Sequence, residues 1–317
     1  MRIRPVFYAL FLFFIIIAAL AAVFTLQIFS PEKSSELSPL ADGKYEASGP
    51  GGLRLVCWDL GYLRLGKNSG EESGYGSVEI NEFIEIIRMQ GPGVALFQEI
   101  NREQAQNFAR DFPEYQVYYA AGYKVSGLPS LLSKGPKSRG MLIMTSPRTT
   151  SAEACYFDQN NAWPGSAFAY HPFIQKAVFP SSEEKLDWLI INCGFNGGPD
   201  FNGKSDLLPQ LAEYLNSLDE SKYLIVTAGN FSVFSEKDIE KFLAGLPKNW
   251  TAASASNSPD GRDRDAPYDR LTTPVWNKTY FICSSGASID SVLTYNLKFS
   301  LAPGNPVRAV VSVKPVY

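Results

Sequence analysis

Oxygen-bearing side chains follow three of the most apolar stretches of this 317-residue chain. Asp59 follows residues 53–58, Glu99 follows residues 94–97 and Gln98, and Asn230 follows residues 224–228 and a glycine. A short apolar run that ends in a turn signal is typical of a buried strand that delivers a loop to a site. Carboxylates such as Asp59 and Glu99 are ligands that Mg²⁺ and Ca²⁺ prefer. The pattern therefore predicts a polar site at the ends of buried strands.

The composition indicates that the elements around these residues form a sizeable core. Hydrophobic residues make up 45% of the chain and aromatic residues 13%, which is ample for a folded α/β domain and argues against whole-chain disorder. Residues 78–89 and 206–218 place apolar side chains at helical spacing. The length permits one large domain or two small ones.

Several of these strand ends resemble the motifs of the endonuclease/exonuclease/phosphatase superfamily. Its first strand ends in W-N-I/L-G-Y/F, and here Asp59 stands in place of the Asn. Its D-I-V-A-L-Q-E strand matches residues 94–99, with Glu99 retained. Its G-D-x-N motif matches residues 229–232, with Asn230 in place of the Asp and Ser232 in place of the Asn. The resemblance implies an α/β domain over residues 53–317, a four-layer α/β/β/α sandwich of two packed mixed sheets.

Three further motifs complete the resemblance and carry its most important departures. The family pattern N-T-H-L falls on residues 192–195, with Gly194 in place of the His. The pattern I-D-Y-I-L, whose Asp orients the catalytic His, falls on residues 289–293 and marks Asp290 as a remnant of that position, with no imidazole left to orient. The pattern S-D-H-x-P-V falls on residues 302–307, with Gly304 in place of the His.

The resemblance implies hydrolysis of phosphoesters by water, with Mg²⁺ and an Asp–His pair. Both family histidines are replaced here, and the one histidine of the chain, His171, matches neither position. A proton-transfer residue typically contributes about 10²–10⁴-fold to the rate. The sequence therefore favours a catalytically inactive binding or scaffold module, with Asp59 and Glu99 as a weak Mg²⁺ or Ca²⁺ site. The alternative is a divergent metal-dependent phosphodiesterase or phosphatase that uses another base.

A nucleotide-binding loop is a third hypothesis. Residues 198–205 read GPDFNGKS and match the P-loop pattern G-x-x-x-x-G-K-S. Pro199 removes one backbone N–H, however, and Asp200 would repel a phosphate. The simpler interpretation is a glycine-rich turn that precedes a helix.

The N-terminal 29 residues are predicted to be a cytoplasmic tip and a membrane anchor. Arg2 and Arg4 precede an apolar run over residues 6–29, which is long enough to span a bilayer as a helix. The positive-inside rule places the N-terminus in the cytoplasm and the following domain outside it. A cleaved signal sequence that releases a secreted or periplasmic domain is the alternative. Residues 30–52 are rich in Ser, Pro, Glu and Gly and predict a flexible linker.

The charge and the cysteine pattern make some classes of partner and metal site unfavourable. The net charge is −3 and the Lys and Arg residues are scattered, so nucleic acid is an unfavourable partner. The four cysteines have no C-x-x-C spacing, which makes a zinc site an unfavourable interpretation and buried thiols a favoured one. The expected partners are the membrane and an unidentified protein or phosphate-containing ligand.

Overall fold

The computed structural model of the protein describes residues 4–25, 33–44, 52–61, 84–85, 87–88, 91–124, 138–157, 171–181, 186–195, 204–254, 278–294 and 306–314. Its strands, in chain order, are β1 (Ser34–Glu36), β2 (Ala41–Asp42), β3 (Leu53–Asp59), β4 (Val94–Ile100), β5 (Gln116–Lys124), β6 (Ser138–Thr145), β7 (Ser151–Tyr156), β8 (Phe173–Pro180), β9 (Asp187–Gly194), β10 (Tyr223–Asn230), β11 (Thr251–Ser254), β12 (Thr279–Cys283), β13 (Ala287–Thr294) and β14 (Val307–Val313). Its helices are α1 (Arg4–Thr25), α2 (Arg102–Asp111), α3 (Lys204–Asn216) and α4 (Glu236–Ala244).

The strands form two mixed sheets. The first sheet has the order β1-β7-β8-β9-β10-β12-β11, and the second has the order β13-β14-β3-β4-β6-β5-β2. The pairs β9–β10 and β3–β4 are parallel, and the other strand pairs are antiparallel. The predicted pair of packed mixed sheets is therefore confirmed.

Alternation along the strands builds three apolar layers. In β3, Leu55 and Cys57 face a cluster shared by the two sheets, whereas Val56 and Trp58 face the opposite side. This follows from the two-residue period of a strand. Helix α2 covers the outer side of the second sheet, and α3 and α4 cover the outer side of the first. The result is a sandwich with helices outside both sheets, which agrees with the predicted layering.

Helix α2 shows how local sequence fixes its start. Asn101 caps the helix by accepting a hydrogen bond from the backbone N–H of Gln104, whose side chain in turn accepts from the N–H of Asn101. This reciprocal pair satisfies two donors that a helix end leaves open. Phe108 then stacks on Phe97 of β4, with ring centroids 5.2 Å apart. The helix that follows Glu99 is thus fixed directly behind the strand that carries it.

The predicted flexible linker over residues 30–52 is wrong for its middle part. Residues 33–44 form a strap that adds an outer strand to both sheets: β1 pairs with β7, and β2 pairs with β5. Most of its side chains are exposed or half-buried, so the strap is held by backbone hydrogen bonds. Such pairing leaves no apolar period in the sequence, because an edge strand needs only its N–H and C=O groups to bind.

Helix α1 covers 22 residues, and its described side chains, from Phe7 to Ala21, are all exposed. Within the described part of the chain, no helix combines the length and the hydropathy that crossing a membrane requires. The membrane anchor therefore stays a prediction.

Glu220 connects three segments at the end of the sandwich where β10 begins. Its carboxylate accepts hydrogen bonds from the indole N–H of Trp250 at 2.8 Å and from the backbone N–H of Ser285 at 3.2 Å. Partial burial disfavours the ionised form, but the hydrogen bonds from Ser285 and Trp250 outweigh it and lower the pKa of Glu220. A lowered pKa in the folded state means that the ionised carboxylate stabilises the fold.

We expect Glu220→Gln to lower the melting temperature at pH 7, because the amide replaces one charged acceptor. The stability that Glu220 contributes is present above its unfolded-state pKa and is lost as the pH falls through the lowered folded-state pKa. The difference between variant and wild type should therefore shrink below about pH 4. Melting curves between pH 3 and 8 measure it, with Glu213→Gln on the exposed face of α3 as the control. A difference that is independent of pH would contradict the role of the charge.

Candidate functional site

Five strands bring their ends together at one end of the sandwich, which we call the site end. Asn230 at the end of β10 lies opposite Gly194 of β9 and Thr279 of β12. In the second sheet, Asp59 at the end of β3 lies opposite Gln98 of β4. Parallel neighbours end at the same side of a sheet, which is why these residues collect there. The structure thus brings Asp59, Gly194 and Asn230 to the same end of the sandwich.

Asp59 and Asn230 form a direct pair between the two sheets. The side-chain amide of Asn230 donates to Asp59 Oδ2 at 2.7 Å, and the backbone N–H of Gly61 donates to Asp59 Oδ1 at 3.0 Å. Asn230 Oδ1 accepts from the backbone N–H of Ser232 at 2.8 Å. Both side chains are buried, with 5% and 9% of their surface exposed. A carboxylate buried at this depth requires such donors.

Relative to the family motifs, the acid and the amide of this pair have exchanged positions. The family places an amide at the position of Asp59 and an acid at the position of Asn230, so the present chain holds the same two groups with their places reversed. Two departures that looked independent in the sequence are one hydrogen-bonded pair in the fold. The charge of the pair is unchanged, while the carboxylate has moved from the first sheet to the second.

We expect Asn230→Asp to lower the free energy of unfolding by about 2 kcal/mol at pH 7, because two buried carboxylates would then face each other. The loss should diminish at low pH, where one carboxyl is protonated. The double variant Asp59→Asn/Asn230→Asp restores one acid and one amide and should return close to the wild-type value. Urea unfolding of the wild type, the two single variants and the double variant gives a double-mutant cycle, which measures the coupling free energy between the two residues. Additive effects of the two single changes would contradict the pair.

Glu99 occupies an unusual backbone conformation. Its φ is +50°, in the left-handed region that residues other than glycine rarely adopt. The pairing of β4 with β6 shifts its register between Phe97 and Ile100, which marks a bulge around Glu99. Strained conformations of this kind cost about 1–3 kcal/mol and cluster at functional sites. The bulge turns the chain at the site end. Glu99 directly follows Gln98, which is the register partner of Asp59.

Gly194, at the position of a family histidine, lies tightly against side chains of the neighbouring sheet. A Cβ built on Gly194 would lie 2.7 Å from Met141 Sδ and 3.0 Å from Gln98 Cγ. Both distances are shorter than ordinary van der Waals contacts. Met141 Sδ lies near the free end of a flexible side chain, so a larger residue at position 194 requires Met141 to move and Gln98 to shift slightly.

Asp290 lies away from the site end, so its predicted place among the degenerate site residues is corrected. It falls at a bulge in β13, level with the start of β3 near Arg54. Asp59 lies five residues further along β3, which is about 17 Å at the usual rise of a strand. The exposed carboxylate of Asp290 accepts hydrogen bonds from the hydroxyls of Ser288 and Ser312 instead. Asp290 therefore binds its own hairpin.

Thr279 is the residue that the sequence reasoning missed. It begins β12 opposite Asn230 and is 2% exposed. Residues 278–282 fit the spacing of the pattern I-D-Y-I-L with Thr279 in place of the Asp, followed by Tyr280 as in the family. That aromatic residue was the signal that could have found it. The position next to Asn230 thus carries a hydroxyl and no carboxylate.

Behind the site, Gln98 and Asn192 form a polar connection between the two sheets. The amide of Gln98 donates to Asn192 Oδ1 at 2.5 Å, and Asn192 Nδ2 donates to the carbonyls of Phe97 and Leu142, each at 3.1 Å. Both side chains are almost fully buried. Gln98 and Asn192 match the Gln of L-Q-E and the Asn of N-T-H-L. The motif residues that hold the sheets together therefore remain, although Gly194 has lost the imidazole.

His171 lies at the site end but away from the Asp59–Asn230 pair. Its backbone N–H donates to the carbonyl of Gly122 in β5. β5 is separated from β3 by β6 and β4, so about 14 Å of sheet lies between them at the usual strand spacing. The structure does not bring His171 together with Asp59.

The buried cysteines do not supply a nucleophile at this end. All four cysteines are free thiols, and Cys57, Cys193 and Cys283 are buried, as expected. Burial raises the pKa of Cys57 to about 12, against a lowering by the hydrogen bond with Gln98. Burial likewise raises the pKa of Cys193. A thiol with a raised pKa is a poor nucleophile because it holds its proton.

The described residues do not fit a three-ligand metal centre. Among them, no group of three or more His, Cys, Asp or Glu side chains could hold an ion. Asp59 already accepts from Gly61 and Asn230, and Asn230 directs its N–H, rather than its oxygen, towards Asp59. The weak Mg²⁺ or Ca²⁺ site at Asp59 and Glu99 stays a prediction, since Mg²⁺ bound by only two carboxylates keeps most of its water ligands. Gly304 and most of residues 198–205 lie outside the described residues.

The fold is that of the endonuclease/exonuclease/phosphatase structures. A structure of this family from Beutenbergia cavernae covers 83% of the present chain and 72% of its own, with a TM-score of 0.60 and 12% identity. The human Nocturnin catalytic domain with bound sulfate covers 83% and 94%, with a TM-score of 0.58 and 15% identity. TDP2 of D. rerio, complexed with a single-strand DNA product, covers 83% and 99%, with a TM-score of 0.57 and 11% identity.

At these identities the likeness establishes the fold alone. No protein-family model matches the sequence, and a search of curated proteins found no match. The resemblance read from the sequence motifs is confirmed as a fold, and the chemistry must be argued from the site.

Proposed function

We propose that this chain is a binding or scaffold module on a phosphoester-hydrolase fold and that it does not cleave phosphoesters. The observation that carries the proposal is the glycine at position 194, where the family histidine is missing and Met141 and Gln98 pack within 3.0 Å of the place that a Cβ would take. The absence of a carboxylate at Thr279 supports it, because an orienting acid has no role without its histidine. Proton transfer by a positioned side chain is worth about 10²–10⁴-fold, so the loss removes efficient turnover.

The proposed ligand is a phosphate-containing molecule or a protein, held at the site end. The Ser232 hydroxyl at the site end is a kind of donor that such ligands use, whereas the Asn230 amide already donates to Asp59 and the Ser232 backbone N–H to Asn230. The scattered Lys and Arg residues make nucleic acid an unfavourable ligand. We further propose that α1 anchors the chain with its N-terminus in the cytoplasm and its domain outside. The support is the apolar run over residues 6–29 behind Arg2 and Arg4.

One experiment separates binding from cleavage. Incubation of the full chain with a phosphodiester and a phosphomonoester, each with and without Mg²⁺, should raise the melting temperature without releasing product. Asn230→Ala removes the amide donor to Asp59 and should abolish the ligand-dependent increase, whereas Asn216→Ala on the exposed face of α3 should preserve it. If no phosphate compound raises the melting temperature and none is cleaved, the phosphate-binding part of the proposal is wrong.

A divergent phosphodiesterase or phosphatase is the second candidate, and one observation favours it. The Asp59–Asn230 pair keeps one acid and one amide at the site end, and Glu99, in the bulge of β4, keeps a strained backbone conformation. Mg²⁺ bound by Asp59 and Glu99 would supply charge neutralisation when present. Product formation that is abolished by Glu99→Ala would establish this enzyme and overturn the binding module.

A nucleotide-binding loop is the third candidate. Helix α3 begins at Lys204, so the G-K-S sequence stands at a helix start, as a P-loop requires. If a nucleotide stabilises the wild type but not Lys204→Ala, the nucleotide-binding loop is supported. Equal stabilisation of the wild type and the variant would eliminate this candidate.

A further inference from the structure

The strap enters the sandwich at the site end. The backbone N–H of Tyr156 donates to the carbonyl of Lys33 at 2.9 Å, and Ser34 lies opposite Cys155. Tyr156 lies opposite Phe173, which in turn lies opposite Gly194. Lys33 is therefore level with Gly194 and Asn230 along the strands. Four strand spacings separate β1 from β10, which is about 19 Å across the sheet.

From Lys33 the strap runs away from the site end. Leu37 bonds to Ala152, and Leu40 bonds to Val117 at the start of β5. Asp42 then lies opposite Gln116, the first residue of β5. β5 ends towards the site end, where Ala121 lies opposite Gly140. The chain that follows α1 thus first reaches the domain at the site end and only later reaches the far end.

Very little chain separates α1 from this entry point. Residues 26–32 lie between Thr25 and Lys33, and the apolar run itself continues to Phe29. Three residues, Ser30, Pro31 and Glu32, then remain before Lys33. Four Cα steps span at most about 15 Å when fully extended. β10 has 8 residues, and its length of about 26 Å exceeds that reach.

We infer that the site end faces the lipid surface. If the far end faced the bilayer, the linker would have to return along the full length of the sandwich to reach Lys33, and it is too short for that. The partner of the site end is therefore the headgroup layer of the bilayer that holds α1. This inference rests on the proposed membrane attachment, and it adds an orientation that the attachment alone does not give.

Two exposed lysines at opposite ends of one strand provide a matched test. Lys222 directly precedes β10 at the far end, and Lys237 lies in the first turn of α4, which follows β10 at the site end. Both side chains are exposed, and each change to cysteine removes one positive charge. A fluorophore on Lys237→Cys would report on the site end, and a fluorophore on Lys222→Cys would report on the far end.

The full chain is reconstituted in phosphatidylcholine nanodiscs that contain headgroup spin-labelled lipid, a quencher of short range. The label on Lys237→Cys should be quenched, and the label on Lys222→Cys should keep its full fluorescence. The unsubstituted chain, treated identically, measures labelling of the native cysteines. Equal quenching, reversed quenching or no quenching at either position in a disc-bound chain would overturn the orientation. A chain that does not enter the discs would overturn the membrane attachment and the orientation together.

A linker variant tests the cause of the orientation. Insertion of about 20 Gly and Ser residues after Phe29 adds a flexible segment of tens of ångströms while the strap keeps its pairing. We expect the quenching of the Lys237→Cys label to be lost in this variant. Quenching that survives the insertion would show that the short linker does not set the orientation and would overturn the inference.

Discussion

Replacement of Asn192 by leucine is expected to lower the free energy of unfolding by about 3 kcal/mol. Leucine has a similar size, so little cavity forms, but it can neither accept from Gln98 nor donate to the carbonyls of Phe97 and Leu142. These groups lie between the two sheets, where water cannot replace the lost partner. A buried polar group without a partner costs about 1–3 kcal/mol.

Urea unfolding measures this loss, with Asn216→Leu as the control. Asn216 is exposed on α3 and donates to the carbonyl of Gly245, so its replacement should cost well under 1 kcal/mol. The double variant Gln98→Leu/Asn192→Leu removes both partners and should recover part of the loss. If Asn192→Leu were as mild as Asn216→Leu, the polar connection would not be what holds the sheets in register.

Gly194→His is expected to destabilise the protein by about 2–3 kcal/mol and to produce no phosphoesterase activity. The first side-chain carbon already meets Met141 Sδ at 2.7 Å and Gln98 Cγ at 3.0 Å. The rest of the imidazole must displace the Met141 side chain or separate the sheets. Restoring the family residue therefore does not restore the family site, because the surrounding side chains fill its place.

Gly93→Ala is the matched control, since a Cβ there meets its nearest neighbour at an ordinary 3.5 Å. Thermal and urea unfolding should show almost no change for this control. In Gly194→His/Met141→Ala the thioether is absent, and part of the lost stability should return. A Gly194→His protein as stable as the wild type would contradict the account of a filled position.

The sheets and the site end were predictable because buried strands leave a strong pattern in the sequence. The runs that end at Asp59, Glu99 and Asn230 are apolar for several residues and end in glycine or polar residues, and the structure joins the ends at Asp59 and Asn230. The strap was not predictable, because its strands bind through backbone groups and bury few side chains. Hydrophobic patterns do not detect such pairing.

The roles of individual site residues were harder to predict. Asp290 was assigned from a short motif that fits two consecutive strands of different sheets, and only the register shows that Thr279 stands next to Asn230. The exchange between Asp59 and Asn230 joins positions 171 residues apart. When the motifs are compared one position at a time, Asp59 and Asn230 count as two separate departures from the family. In the fold they form one hydrogen-bonded pair.

The most direct test of the account is the turnover of the purified full chain with phosphodiesters and phosphomonoesters in the presence of Mg²⁺ or Mn²⁺. We expect product formation at the level of the protein-free reaction, with no difference between the wild type and Glu99→Ala. Turnover by the wild type that Glu99→Ala abolishes would contradict the account, because a working phosphoesterase would then exist without an imidazole at Gly194.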